Sequence, residues 1–552
     1  MTMKAPDLIL TGARVLTMNP AQPRAEAVAV CGERIDAVGS RTEIEASAGP
    51  DTRIVDIGGA TLLPGFVESH LHLVLGGSEL SHLQIGGVHG KEDLARAFRD
   101  FSCRNPDADL LMAQGGDYGV LGRPLTRHDL DDIIADRPIA ITAADHHTVW
   151  ANTAALQGSG LLHGARTPAG HEVVMGSDGL ATGELREFEA FAPVIALGGN
   201  LRVNLGIATG RDPDPWPQEA AFRIDAAKAA RGLEFAARHG ITSIINMDGN
   251  RYTLALLDAL RSQGSLTSRV KVPFHFKPDM GLDHLAEASA MSKDFADSWL
   301  CSGMVKFFMD GVIDSQTAFR LDDYPDAPGK RGAGLFGQQE FERIAIEVDR
   351  RGLQIAVHAI ADAAVRRVLD GLESAQRANG PRDARHRIEH IEMIDRADLP
   401  RLAELGVTAS IQPVHAPGVL DFGFDGLAAF GADRINDVFL CRELAEAGAH
   451  ICFASDWPVA DISILRGIAA QVGRQPYAGA TDQRIGLHET LAAYTAGGAW
   501  AAHMENITGT IKRGLAADLV VLSGDIESCE AEDIPSLDIA MTIAGGQITY
   551  ER

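Results

Sequence analysis

The chain has 552 residues, 45% of them hydrophobic and 23% charged, which suits a large folded core with a satellite domain. Its formal net charge of −25 repels phosphate backbones and anionic bilayers, and no run approaches the roughly 20 apolar residues of a membrane span. The opening MTMKAPDLILTGARVLT lacks a signal-peptide pattern, and six scattered cysteines form no C-x-x-C pair, so free thiols in the cytoplasm are expected.

The first elements are short alternating strands, DLILTGARVLT, AEAVAVCGERIDAVG and TRIVDI, broken by Gly and Asn-Pro turns. The far end repeats the style in ADLVVLSG and IAMTIAGGQITY. Neither piece can fold alone, so residues 1–60 and 505–552 are expected to form one small β-sandwich domain. Between them, residues 61–504 follow a recurring grammar: a helical run, a glycine, then an apolar strand that stops on a polar residue. EFAARHG-ITSIINMD, EVDRRG-LQIAVHAIAD, RLAELG-VTASIQP and ELAEAG-AHICFASD show it, with Gly240, Gly352, Gly406 and Gly448 at the helix ends. TLLPGFVESH, RVKVPFHF, MVKFFMD and HRIEHIE complete eight candidate strands, which points to an α/β fold, a (β/α)8 TIM barrel. About 165 residues separate the first strand from the one at Ile241, so a subdomain is inserted at about 76–217. Its apolar stretches, DLLMAQGG and FAPVIALGG, are expected to form its own core.

Barrel chemistry sits at the C-terminal strand ends. There the first strand offers His70 and His72, the fourth Lys306, the fifth His358, the sixth His390 and the eighth Asp456. One such histidine alone is more often a satisfied core residue. Metal-ligand types gathered at one end of their strands point to a metal, and His70 and His72, two apart on a strand, can reach one ion. A cation would repay the burial of three hydrated groups in GFVESHLHLVL; Glu68 is expected to support the ligands by orienting one imidazole.

With these residues in place, the chain resembles the amidohydrolase superfamily, and within it the amidohydrolase family 3 branch, which includes N-substituted formamide deformylases. LLPGFVESHLH, PLTRHDLD, DHHTVWANTAAL, GITSIINM, VKFFMDGVIDSQTA, VHAIADAA, RIEHIE, ASDWPV and GLAADLVVL carry the resemblance in order along the chain. Departures are Glu68 for the more frequent Asp, Ala361 and Ala363 for the Gly and Arg of H-A-I-G-D-R-A, and Val312 where many relatives have Ser. The resemblance implies one or two divalent ions, Zn2+ with Mn2+ or Fe2+ as substitutes, held by His70, His72, Lys306, His358, His390 and Asp456. It also implies that Lys306 is N-carboxylated, since a bare ammonium would repel the ions. Asp456 would be general base and acid while a metal-bound hydroxide hydrolyses the C–N bond of an amide, N-formyl, N-acyl, imide or cyclic amide compound. Substrate contacts fall to His147, Trp150 and Asn152 at the pocket mouth, and to His275, Asp310, Gln316 and His415. A small-molecule substrate is expected, without nucleic acid or membrane, for a chain acting alone or as a homodimer. Heterocycle deamination, decarboxylation or isomerisation on the same barrel is the alternative chemistry, and a non-catalytic metal-binding protein ranks behind both.

Overall fold

The computed structural model describes residues 5–144, 146–167, 171–419 and 424–552, and the chain divides into two compact units. One comprises Met1–Leu73 with Leu233–Arg552; the other is Val74–Gly232. The second unit ends at Gly232, beyond the Pro217 boundary expected for the insertion, because the long helix Glu219–Arg238 begins in one unit and ends in the other.

Ten short strands of the first unit run parallel in two sheets. They are β1 (Phe66–Leu71), β2 (Ile241–Asn246), β3 (Arg269–Lys271), β4 (Phe274–His275), β5 (Leu300–Cys301), β6 (Met304–Phe308), β7 (Gln354–Ala359), β8 (Arg387–His390), β9 (Thr408–Ile411) and β10 (His450–Phe453). One sheet has the order β5-β3-β2-β1 and the other β4-β6-β7-β8-β9-β10, every pairing parallel. The run RVKVPFHF, read as one strand, is two. Pro273 supplies no N–H to a ladder, so β3 pairs with β2 and β5 while β4 pairs with β6. The strands are buried almost throughout, as parallel strands covered on both faces must be. Gly240, Gly352, Gly406 and Gly448 all have φ between 65° and 87°, the left-handed turn that ends a helix before a strand.

The two chain ends supply two further sheets. Leu8–Thr11, Ala27–Cys31, Arg34–Gly39 and Arg53–Asp56 make one; Arg14–Leu16, Arg24–Ala25, Thr61–Pro64, Leu519–Leu522, Ile539–Ala544 and Gln547–Glu551 make the other. Leu10, Val15, Val28, Leu62, Leu519 and Ile543 share one apolar cluster between these segments.

The second unit has a six-stranded mixed sheet with an apolar cluster for each face. Side-chain alternation sorts them: Leu111, Ala113, Ile141 and Trp150 join one cluster, while Leu110, Met112, Ala140 and Val149 join the other. DLLMAQGG and FAPVIALGG therefore serve this core, with Phe191 and Val194 buried in it. All six cysteines are free thiols, and among the described residues no helix is long and apolar enough to cross a membrane.

Candidate metal centre

The C-terminal ends of β1, β2, β6, β7, β8 and β10 bring a set of buried polar side chains together. His70 is the fifth residue of β1, and His72 follows the strand by one residue; they are 1% and 5% exposed. Asp456, just beyond β10, is tied back to β1 by its own N–H to the His70 carbonyl at 2.9 Å, and His72 N–H reaches the Trp457 carbonyl at 2.8 Å. Asp456 has φ +63° and His390 φ +77°, left-handed conformations that bulky residues adopt only where surrounding contacts impose them.

Each β1 imidazole is held from one side and open on the other. His70 Nδ1 lies 2.8 Å from Glu389 Oε2, and His72 Nδ1 lies 2.5 Å from Asp248 Oδ1. Both Nε2 atoms face Asp456 Oδ1, at 3.3 Å and 3.1 Å. A proton on each Nδ1, donated to its carboxylate, leaves two Nε2 lone pairs and a carboxylate oxygen converging on one point. Three acceptors cannot satisfy one another, so the point calls for a cation. Without one, His72 serves as its own: burial opposes the charge, but Asp248 and Asp456 outweigh it and raise the ring to about 10. His70 is pushed down to about 4 by burial, with Lys306 adding to it.

A second group adjoins the first. The His358 and His390 rings are 4.5 Å apart, and His390 lies 4.9 Å from the His70 ring. Neither ring nitrogen of buried His390 has a hydrogen-bond partner among the described residues, nor has Nζ of fully buried Lys306. Burial pushes Lys306 down to about 8. Orphaned groups of this kind cost stability unless something binds them, and neutral imidazoles with a carboxylate are the donor set of a zinc-like ion. Ligand atoms of His70, His72 and Asp456 lie within 4.8 Å of one another, as do those of His390, His415 and Asp456. His415, read as a substrate contact, thus stands among atoms that can hold an ion, stacked on His390 at 6.2 Å.

Several expected contacts are employed elsewhere. Glu68 orients neither imidazole; its Oε1 accepts the N–H groups of His70 and Ser455, bracing β1 against the turn after β10. Asp310 accepts N–H groups from Phe319, Ile360 and Ala361 at 2.9–3.1 Å, which fastens the loop after β6 to the end of β7. Gln316 is half-buried and bonds the side chains of Asp326 and Lys330. His275 is buried against Phe308. Within the second unit, Asn152 caps helix Thr153–Gly158 and donates to the Ile134 and Arg137 carbonyls; Trp150 packs in the core, and His147 pairs with Glu187 at 3.0 Å. The Asn152 amide is thus spent on the backbone of its own unit, and the Trp150 ring on that unit's core.

Asp248, Glu389 and Arg387 are the residues that strand-end reading missed. Arg387 is fully buried, ion-paired to Glu389, and donates to the Ser69 carbonyl and Ser410 Oγ, so it fixes the carboxylate that fixes His70. Asp248 closes the run ITSIINMD and carried the same signal as Asp456.

The profile of the amidohydrolase family matches residues 53–550. The protein LONG AFTER FAR-RED 3 of Arabidopsis thaliana is 27% identical over 99% of this chain and 91% of its own length. An N-substituted formamide deformylase of Arthrobacter pascens is also 27% identical, over 99% of this chain and 98% of its own. A crystal structure of an uncharacterized metal-dependent hydrolase from Pyrococcus horikoshii superposes with a TM-score of 0.73 at 22% identity, covering 95% of this chain and 99% of that one.

Proposed function

The chain belongs to the amidohydrolase family and is a metal-dependent hydrolase of carbon–nitrogen bonds, and from that premise we propose that it cleaves a small-molecule amide, N-formyl, N-acyl, imide or cyclic amide with Asp456 moving the proton. One observation carries the reading: Asp456 Oδ1 faces His70 and His72 while Oδ2 lies 4.0 Å from His390 Nδ1, so one carboxylate spans both groups of ligand atoms. In this reading His70, His72, Lys306, His358, His390 and Asp456 hold one or two divalent ions, zinc in the first instance. Such an ion supplies a Lewis acid and brings the pKa of bound water from 15.7 toward about 7.

The chain's own groups do the rest. Burial alone would raise the Asp456 carboxyl, but His70, His72 and His390 hold it well below the usual range, so it is ionised and can take a proton from the attacking water. It then hands that proton to the leaving nitrogen. Glu389 and Asp248 keep the β1 imidazoles in the tautomer that turns Nε2 inward. Lys306 is N-carboxylated in the working enzyme: its buried amine is partly neutral and able to add carbon dioxide, and the resulting anion replaces a repulsive charge with an attractive one.

The same reading gathers the two parallel sheets into one closed (β/α)8 barrel, with the sheets from the two chain ends as a β-sandwich domain. Strand-end ligands drawn from both sheets and from β1 through β10 support that closure. The net charge of −25 supports a small molecule over nucleic acid as the partner.

The test is product detection by mass spectrometry after incubating metal-loaded protein with pooled formamides, N-acyl amines, imides, lactams and esters. Amine and acid should appear together, and Asp456→Asn should lose about 10²–10⁴-fold of the rate while retaining most of its metal. Near-normal turnover in Asp456→Asn would overturn the proton-transfer role. Ammonia in place of an amine would move the reaction to deamination.

A further inference from the structure

The centre contains a lysine that the proposed chemistry does not use. Lys277 lies two residues past His275, beyond the end of β4, and is half-buried. Its Nζ stands 5.2 Å from the centroid of the Phe308 ring, the same ring that has Lys306 Nζ at 5.0 Å. Phe308 follows Lys306 by two positions on β6, so the two side chains leave the strand on one side. His275 and His358 pack on that ring at 5.3 Å and 4.6 Å. Phe308 thus holds the Lys277 ammonium next to the ligand groups, in a wall that is aromatic and half-open.

Lys277 shares with Lys306 the lack of a close counter-charge among the described residues, but unlike Lys306 it has no place among the proposed ion ligands. Two other buried lysines are paired, Lys228 with Asp225 at 2.9 Å and Lys271 with Gln354 Oε1 at 2.9 Å and the Ala502 carbonyl at 3.2 Å, and the third, Lys306, is already assigned to the ions. Among the described residues no ion pair or hydrogen bond reaches Lys277 Nζ, and the carboxylates that act on it do so from longer range, Asp248 and Asp279. Asp248 has already given one oxygen to His72. Burial pushes Lys277 down to about 7, and Lys306 contributes in the same direction. A desolvated ammonium is expensive to keep in a fold, and a ligand that brings an anion removes the expense.

Resting on the amide-hydrolysis reading, we infer that Lys277 is a specificity residue that binds a carboxylate carried by the substrate away from its scissile C–N bond, against the face of Phe308. The substrate class is then a carboxylate-bearing amide or formamide. A single ammonium, with no arginine among the groups acting on it, matches a monoanionic carboxylate better than a phosphate, which arginine forks recognise.

Binding can be measured apart from turnover. Metal-loaded Asp456→Asn protein, alone and combined with Lys277→Met or Lys277→Arg, would be titrated calorimetrically with N-formyl-β-alanine and with N-propylformamide, which has a methyl group where the acid has its carboxylate. The acid should bind about ten- to a hundredfold tighter than the neutral compound. Lys277→Met should erase that advantage without altering N-propylformamide binding, and Lys277→Arg should keep most of it. Equal binding of the two compounds would overturn the inference. So would an advantage that survives Lys277→Met, which would place the carboxylate on the ions, or a loss of bound metal in that variant. Selective binding that depends on Lys277, in a wild-type protein that releases no amine from either compound, would sink the hydrolysis reading and leave the recognition role standing.

Discussion

Strands β7 and β8 bury polar groups at both of their ends, and the two ends treat them in opposite ways. At the N-terminal end Gln354, His386 and Asp349 are paired. Gln354 donates to the Arg385 and Ala501 carbonyls and accepts from Lys271; His386 accepts the Ile355 N–H at Nδ1 and meets Asp349 at Nε2; Asp349 also takes Asn379 and Arg382. At the C-terminal end, among the described residues, neither nitrogen of His390 nor Nζ of Lys306 on neighbouring β6 has a hydrogen-bond partner, and the Nε2 atoms of His70 and His72 converge on Asp456. Burial is the same at both ends and satisfaction is not. A fully paired buried cluster stabilises a fold; an unpaired one is kept for what it binds.

The largest expected effects come from exchanging the fates of the two ends. His390→Asn should lower bound metal and cut turnover at least a hundredfold while leaving the stability of the metal-free protein unchanged or higher, because an unpaired imidazole leaves the core. Asp349→Ala should do the reverse. It strands His386 and Arg382, costing about 3–5 kcal/mol of unfolding free energy, with metal content per folded molecule preserved. Metal analysis and denaturation on both variants check the pair. A destabilised His390→Asn protein with full metal would remove the distinction between the ends.

Acid sharpens the comparison. Free imidazole titrates near 6.5. Burial, helped by Lys306, pushes His70 down to about 4 and His358 to about 3, so the fold favours their neutral forms. Their contribution is complete above about pH 6.5 and is lost as pH falls toward those values. For His70 alone it is on the order of 3 kcal/mol. Asp349 differs: burial works against its ionisation, but hydrogen bonds from His386, Asn379 and Arg382 outweigh it and hold the carboxyl well below the usual range. Its contribution is present above about pH 3.9 and disappears only below that. Thermal midpoints of the metal-free protein against pH should fall in two stages. His358→Asn should flatten the upper stage and Asp349→Asn the lower. A single transition unaffected by His358→Asn would show that the ligand end is paired after all.

These contrasts also explain what the sequence disclosed. Strand ends bearing His70, His72, Lys306, His358, His390 and Asp456 were legible because glycine-capped helices and apolar runs locate strand ends, and ligand types there are chemically conspicuous. The carboxylates that aim the imidazoles were not, since His70 and Glu389 are 319 positions apart and only packing joins them. The break at Pro273 was visible as a residue without an N–H, yet which strand each half would pair with depends on the neighbours. Asn152 carries two signals at once. A polar residue in a histidine- and tryptophan-rich motif has the composition of a pocket, but an asparagine ahead of a helix is also a cap, and here its amide bonds are spent on the backbone.

Glu68 gives the smallest predicted effect and the most discriminating one. It lies fully buried beneath the ligands, and burial pushes its carboxyl up to about 8, against the pull of two backbone N–H groups. At neutral pH it is therefore mostly a neutral acid, and Glu68→Gln replaces it with a neutral group of the same shape whose oxygen can accept the same His70 and Ser455 N–H groups. Stability should change by no more than about 0.5–1 kcal/mol, and turnover should stay within about threefold, or roughly 0.7 kcal/mol in the barrier. A tenfold loss would mean that Glu68 is charged in the working enzyme, which only a nearby cation could arrange at that depth. It would then belong electrostatically with the ligand end, and the boundary between paired and unpaired groups would have to be drawn below Glu68 instead of above it.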